Sequence, residues 1–173
     1  MNSLFETNHA RELLPCFDEP NFRSVFKLQL WLQNDFASKG YVALSNTQGK
    51  KQSWSEALSI WTFDASPPIP TYLFTVTVGK FKSVCQFRHE IEKEICIWRF
   101  LFYDGWERTA LEVINSMTLY QHGMMDYLLI DPSARLHLLV VPSKLNGMEN
   151  FGLLNVKEAV SLWDMRDKDK HFL

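Results

Sequence analysis

The first hundred residues of this 173-residue chain are written largely in period two. Alternate residues of a strand face the same side of a sheet, so such a pattern commits the chain to sheet with one buried face. "SVFKLQLWL" (24–32) places Phe26, Leu28, Leu30 and Leu32 on one side. "TYLFTVTVGKF" (71–81) alternates in the same way and is closed by Gly79, while "YVALS" (41–45) is short and apolar. "FKSVCQFR" and "ICIWRFLF" add two further strand signals. "SWSEALSIWTFDA" (53–65) alternates in places with an ambiguous period, and "PPIP" (67–70) forces an extended turn. Roughly six strands at about ten-residue spacing predict a mainly β fold, an antiparallel sandwich.

The pattern then changes. "ERTALEVINSMTLYQHGMMDYLL" (107–129) places Ala110, Val113, Met117, Tyr120, Met124 and Leu128 at steps of three and four. This predicts an amphipathic helix, interrupted or ended near Gly123. A loop is expected around Asp131-Pro132, a strand over 135–141, a loop at "PSKLNGMEN", a strand over 151–156, and a charged tail at "WDMRDKDKHFL". The switch predicts two parts: an all-β unit over 1–100 and an α+β unit over 101–173.

Hydrophobic residues make up 46% of the chain, enough for a packed core, and the net charge is -2. A near-neutral chain without a basic stripe argues against a nucleic-acid partner. Cys16, Cys85 and Cys96 are an odd, widely spaced set, expected as buried free thiols. The start "MNSLFETNHARELLP" has charges and no apolar signal core. The most apolar run, "RLHLLVVP", is far short of the roughly 20 residues that span a bilayer, so membrane anchoring is not encoded in these residues. Of the five histidines, His89 is followed by a glutamate, but Lys93 stands where a second zinc-binding histidine would fall. No H-E-x-x-H, nucleophile elbow or phosphate loop occurs. No metal is expected on these residues, and His137, inside an apolar strand, reads as a packed histidine.

Two segments carry functional signals. "ARELLPCFDEP" (10–20) is a stiff turn between Pro15 and Pro20, with Asp18 and Glu19 placed to accept backbone N–H groups. "NGMENFG" (146–152) packs glycines, a carboxylate and an amide where neither helix nor strand asks for them. Read locally, it is a hairpin with a type I′ turn at Asn146-Gly147. It could also bind a peptide end. Glu149 would attract an ammonium, the Gly147 main chain would allow close approach, and the segment could pair with an extended peptide.

These segments arrive in a recognisable order. "ARELLPCFDEPNFRSVFKLQL", "YVALSNTQ", "PPIPTYLFTVTVGKF", "ICIWRF" and "LHLLVVPSKLNGMENFGLLNVKE" resemble, in order and spacing, the corresponding segments of the zinc aminopeptidase N family. The resemblance implies a saddle-like β-rich N-terminal domain followed by the start of a thermolysin-like catalytic domain. It implies that Glu149 binds the free α-amino group of a peptide substrate. Gly147, Met148 and Asn150 would complete the substrate-binding loop. It also implies zinc in full-length relatives, held by an H-E-x-x-H helix that would follow this loop and is not among these 173 residues.

Other positions depart from the family. Ser3-Leu4 stand where family members often carry a Gln that helps hold the amine; Asn146-Gly147 replaces Gly-Ala, and Phe151 replaces Trp. Two expectations follow. One is a fragment or short form of a metallo-exopeptidase, inactive alone and truncated before the zinc helix. The other is a non-catalytic interaction module that binds peptide N-termini. Relatives are membrane-anchored, secreted or cytoplasmic, so neither a compartment nor an oligomeric state is implied.

Overall fold

A computed structural model describes residues 1–89, 91–100, 106–124, 136–142 and 146–157. The expected loop at Asp131-Pro132, the end of the predicted helix around Leu128 and the charged tail lie outside the described residues. The fold is mainly β, as the period-two pattern predicts. Two compact units divide the chain: one of Met1–Phe81 with Met148–Leu154, the other of Lys82–Gly147 with Asn155–Leu173.

The first unit holds three small sheets. β1 (Arg23–Ser24) pairs antiparallel with β6 (Ile69–Pro70), and β3 (Val42–Ser45) pairs antiparallel with β7 (Val76–Gly79). β5 (Leu58–Phe63) is the centre of a three-stranded sheet between β2 (Gln29–Gln33), which runs into the short helix α1 (Asn34–Ser38), and β4 (Gly49–Ser53). Only part of the predicted 24–32 strand is laddered. Even so, Phe26, Leu28 and Leu30 all pack on the buried cluster of Phe5, Ala10, Phe74 and Val76, as their shared face requires. The expected strand over 71–81 begins instead as a 3-10 turn at Thr71–Leu73, closed by the Phe74 N–H donating to the Thr71 carbonyl. That turn delivers Thr71 and Phe74 to the interior, with relative exposures of 5% each.

The second unit is built on β8 (Lys82–Arg88), β9 (Lys93–Arg99), β10 (Leu136–Val141) and α2 (Trp106–Met124). β8 and β9 form an antiparallel hairpin, but β9 and β10 run parallel, with Leu138 opposite Ile97. Two parallel strands need a long crossover, and α2 lies between them in sequence, so an α+β pairing replaces a purely antiparallel one here. α2 buries Trp106, Ala110, Ile114 and Thr118; of the predicted stripe, Ala110 is fully buried, whereas Val113 and Met117 are half-buried. Ile95, Ile97, Ala110 and Ile114 are fully buried and form the core of this layer. Arg88 donates to the Asn115 side chain and ties β8 to α2.

The cysteine expectation needs correction. Register places Cys85 directly opposite Cys96, with Cα atoms 4.1 Å apart, and the two form a disulfide. Linear spacing hides this because the pairing depends on hairpin register. Cys16 alone is a free thiol, and burial followed by the nearby Asp18 charge pushes its pKa up.

Candidate functional site

The segment "NGMENFG" folds as the tip of a hairpin between β11 (Gly147–Met148) and β12 (Leu153–Lys157). The tight turn is displaced from the expected Asn146-Gly147 position. The Leu153 N–H donates to the Asn150 carbonyl at 3.2 Å, with Phe151 and Gly152 between them, and Gly152 adopts φ 72°. A positive φ at the third turn position is the signature of a type II turn, and it selects glycine. Asn146 sits at the base of the hairpin, where its carbonyl accepts the Lys157 N–H at 3.0 Å. Gly147 is exposed, and a Cβ built on it would meet nothing closer than the Asn155 carbonyl at 3.6 Å. Its role in the resemblance is therefore main-chain exposure, with no steric demand for glycine among the described residues.

The three residues that follow alternate. Met148 is buried, Glu149 is exposed and Asn150 is buried. Extended backbone sends neighbouring side chains to opposite sides, so packing Met148 and Asn150 inward turns Glu149 outward. Among the described residues no hydrogen bond or ion pair engages the Glu149 carboxylate. Its neighbour Asn150 is only 2% exposed, and its side-chain nitrogen has no hydrogen-bond partner. The hairpin therefore presents an exposed carboxylate without a partner among the described residues.

The tip is held by a residue that sequence reasoning did not single out. Asn46, immediately after β3, donates through Nδ2 to the Phe151 carbonyl at 2.7 Å and to the Leu73 carbonyl at 2.8 Å. Its Oδ1 accepts the Thr75 N–H at 3.0 Å. The available signal was the "ALSN" segment, which served only as a marker of resemblance.

Asp18 has the structural role its turn implies. Its side chain is buried and accepts the Arg11 N–H at 3.1 Å, the Arg11 Nε at 3.5 Å and the Thr71 hydroxyl. Burial raises its pKa, but the hydrogen bonds from Thr71 and Arg11 and the Arg11 charge outweigh burial and hold it below the usual carboxylate value.

The described residues do not fit a catalytic zinc. Among them one cluster has donor atoms close enough together for a metal, Cys85, Glu94 and Cys96. Its two sulfurs are bonded to each other, leaving a single exposed carboxylate. His137 is buried, and its Nδ1 accepts the Trp98 indole N–H at 3.2 Å. His9 faces Glu12 on the surface.

Residues 1–73 match the Peptidase M1 N-terminal domain. The chain is 30% identical to aminopeptidase M1-D of Oryza sativa subsp. japonica over 92% of its own length and 18% of that protein's. It is 29% identical to aminopeptidase Q of Homo sapiens, over 96% of this chain and 17% of the relative. Probable aminopeptidase 2 of Sulfurisphaera tokodaii is 29% identical over 92% of this chain and 20% of the relative. The chain thus spans about a fifth of the length of the curated relatives it matches. Its first part is thus similar to the Peptidase M1 N-terminal domain, and most of its length is similar to a stretch of M1 aminopeptidases.

Proposed function

We propose that these residues form the amine-recognition part of a zinc metallo-exopeptidase that removes N-terminal residues from peptides, and that by themselves they bind without cleaving. One observation carries this reading: Glu149 stands exposed and unpartnered among the described residues at the tip of a hairpin whose neighbours, Met148 and Asn150, are buried. A carboxylate so placed forms an ion pair with a peptide ammonium, whereas an acetylated terminus offers only a neutral N–H donor. The exposed main chain at Gly147 leaves room for an extended peptide to approach beside it. Cleavage needs a metal-activated water, and the 173 residues contain no H-E-x-x-H to hold one.

The test compares a peptide bearing a free α-amine with its N-acetylated twin, by binding to the 173-residue chain and by hydrolysis of an aminoacyl chromogenic substrate. Preferential binding of the free amine without turnover is expected. Equal binding of both peptides would remove the amine role from Glu149. Turnover by the purified chain would overturn the non-cleaving half.

A further inference from the structure

We infer that Asn46 is the positioning residue for the Glu149 hairpin tip. It acts as the end of a buried polar chain that begins at Ser3. The inference rests on the amine-recognition reading for its functional meaning, but its geometry stands apart from that reading.

Asn46 is 2% exposed. A buried primary amide must find partners for two N–H donors and for its oxygen, or desolvation is left uncompensated. Here every donor is used and the oxygen has a partner. The two Nδ2 protons go to the carbonyls of Phe151 and Leu73, and Oδ1 takes the Thr75 N–H. Only one orientation of the amide satisfies all three, because two of the partners accept and one donates. Phe151 is two residues from Glu149 and 105 residues from Asn46 in sequence. It lies inside the Asn150–Leu153 turn. This bond fixes the carbonyl at the centre of the turn, and with it the direction in which Glu149 leaves the tip.

Asn46 is itself held. Thr75 is fully buried, its carbonyl accepts the Ser45 hydroxyl at 2.7 Å, and its hydroxyl lies 3.4 Å from the Ser3 hydroxyl. The Ser3 oxygen accepts the Val76 N–H at 2.8 Å, and the Ser3 N–H donates to the Val76 carbonyl at 3.0 Å. Ser3, Thr75, Asn46 and the Phe151 carbonyl therefore form one connected buried network. In such a network the loss of a middle member costs more than its own bonds, because its partners are left unsatisfied.

The experiment uses the full chain carrying Asn46→Ala or Asn46→Asp, with Ser45→Ala as a control. Ser45→Ala removes a buried bond to Thr75 that does not touch the hairpin. Native-state hydrogen exchange is read at the amides of 148–154, Leu153 among them, and at the β2–β5 ladder. The Asn46 variants should speed exchange at 148–154 by about tenfold or more relative to that ladder, while Ser45→Ala moves both regions together. Where Asn46→Ala or Asn46→Asp fails to fold, Asn46→Ser keeps one short donor and space for a water, and the same exchange ratio is read from it. Unchanged relative exchange at 148–154 would overturn the inference.

A second measurement separates the two readings. If the unmutated chain prefers free amines, the Asn46 variants should lose that preference while still binding peptide. Loss of hairpin protection in a chain that never preferred free amines would sink the amine reading alone. Retained protection and retained preference in the variants would sink the positioning role alone.

Discussion

Replacing Glu149 with glutamine removes one negative charge and keeps the side-chain length, so it isolates the electrostatic part of the proposed amine recognition. The size of the effect follows from exposure. Two unit charges attract many times more strongly in a dry interior than in water. Glu149 sits at the wet end of that range, because it is exposed with no partner among the described residues. Exposed ion pairs are worth about 0.2–1 kcal/mol, or roughly a 1.4- to 5-fold change in affinity. The assay is a four-way cycle: unmutated chain and Glu149→Gln, each titrated with a free-amine peptide and its acetylated twin. The coupling between the two changes isolates the pair from the general cost of either. The coupling should fall in the 1.4- to 5-fold range at low salt and vanish near 1 M salt, where the screening length is about 3 Å. A coupling of zero at low salt would refute the amine role. A coupling of about a hundredfold or more would refute the exposed geometry, because only a dehydrated pair reaches that size.

Further expectations concern what holds the site and the two units. Gly152→Ala forces an L-residue to φ 72° and should cost about 1–2 kcal/mol. Gly147→Ala, with its nearest contact at 3.6 Å, should stay within about 0.5 kcal/mol, and chemical denaturation of the two variants checks the contrast. Reducing the Cys85–Cys96 disulfide, which closes a sequence separation of 11, should remove about 3 kcal/mol by loop-closure entropy. A melting scan with and without reductant, in a Cys16→Ser background, should show a drop of roughly 6–12 °C, and no drop would refute the pairing. Asp18 titrates below its unfolded value, so its contribution is present above about pH 4 and is lost as pH falls through the lower folded pKa. The stability difference between the unmutated chain and Asp18→Asn should therefore shrink in acid, and a difference that grew there would refute the assigned direction.

Hydrophobic pattern was legible where packing alone decides the outcome. Phe26, Leu28 and Leu30 reach one core although the ladder breaks between Ser24 and Gln29, because the face a side chain takes is set by alternation and survives a broken ladder. What stayed hidden depends on partners far away in sequence. The 3-10 turn at Thr71–Leu73 looks like strand because Thr, Tyr and Phe suit strands, yet its geometry places Thr71 beside the Asp18 carboxylate. The parallel pairing of β9 with β10 follows from the helix between them, and the disulfide follows from hairpin register. Neither is a property of any single stretch.

The hairpin shows the same division at the site itself. The motif pointed to Glu149, and the local turn rule pointed to Asn146-Gly147, because Asn-Gly favours two consecutive positive φ angles. The positive φ falls at Gly152 instead. That shift of the turn decides which face each residue takes. With the turn over Asn150–Leu153, Met148 and Asn150 are buried and Glu149 is exposed. A slip of one residue would reverse all three, burying the carboxylate and exposing the methionine. Burying an unpaired carboxylate costs far more than burying a methionine returns, so the slipped register is heavily disfavoured. The chemistry of the site and the register of the hairpin therefore select the same state. The Asn46 contact to the Phe151 carbonyl adds a third constraint from 105 residues away. The Glu149 carboxylate needs no pocket of its own to point outward here, since its two buried neighbours and one distant amide leave it no other direction.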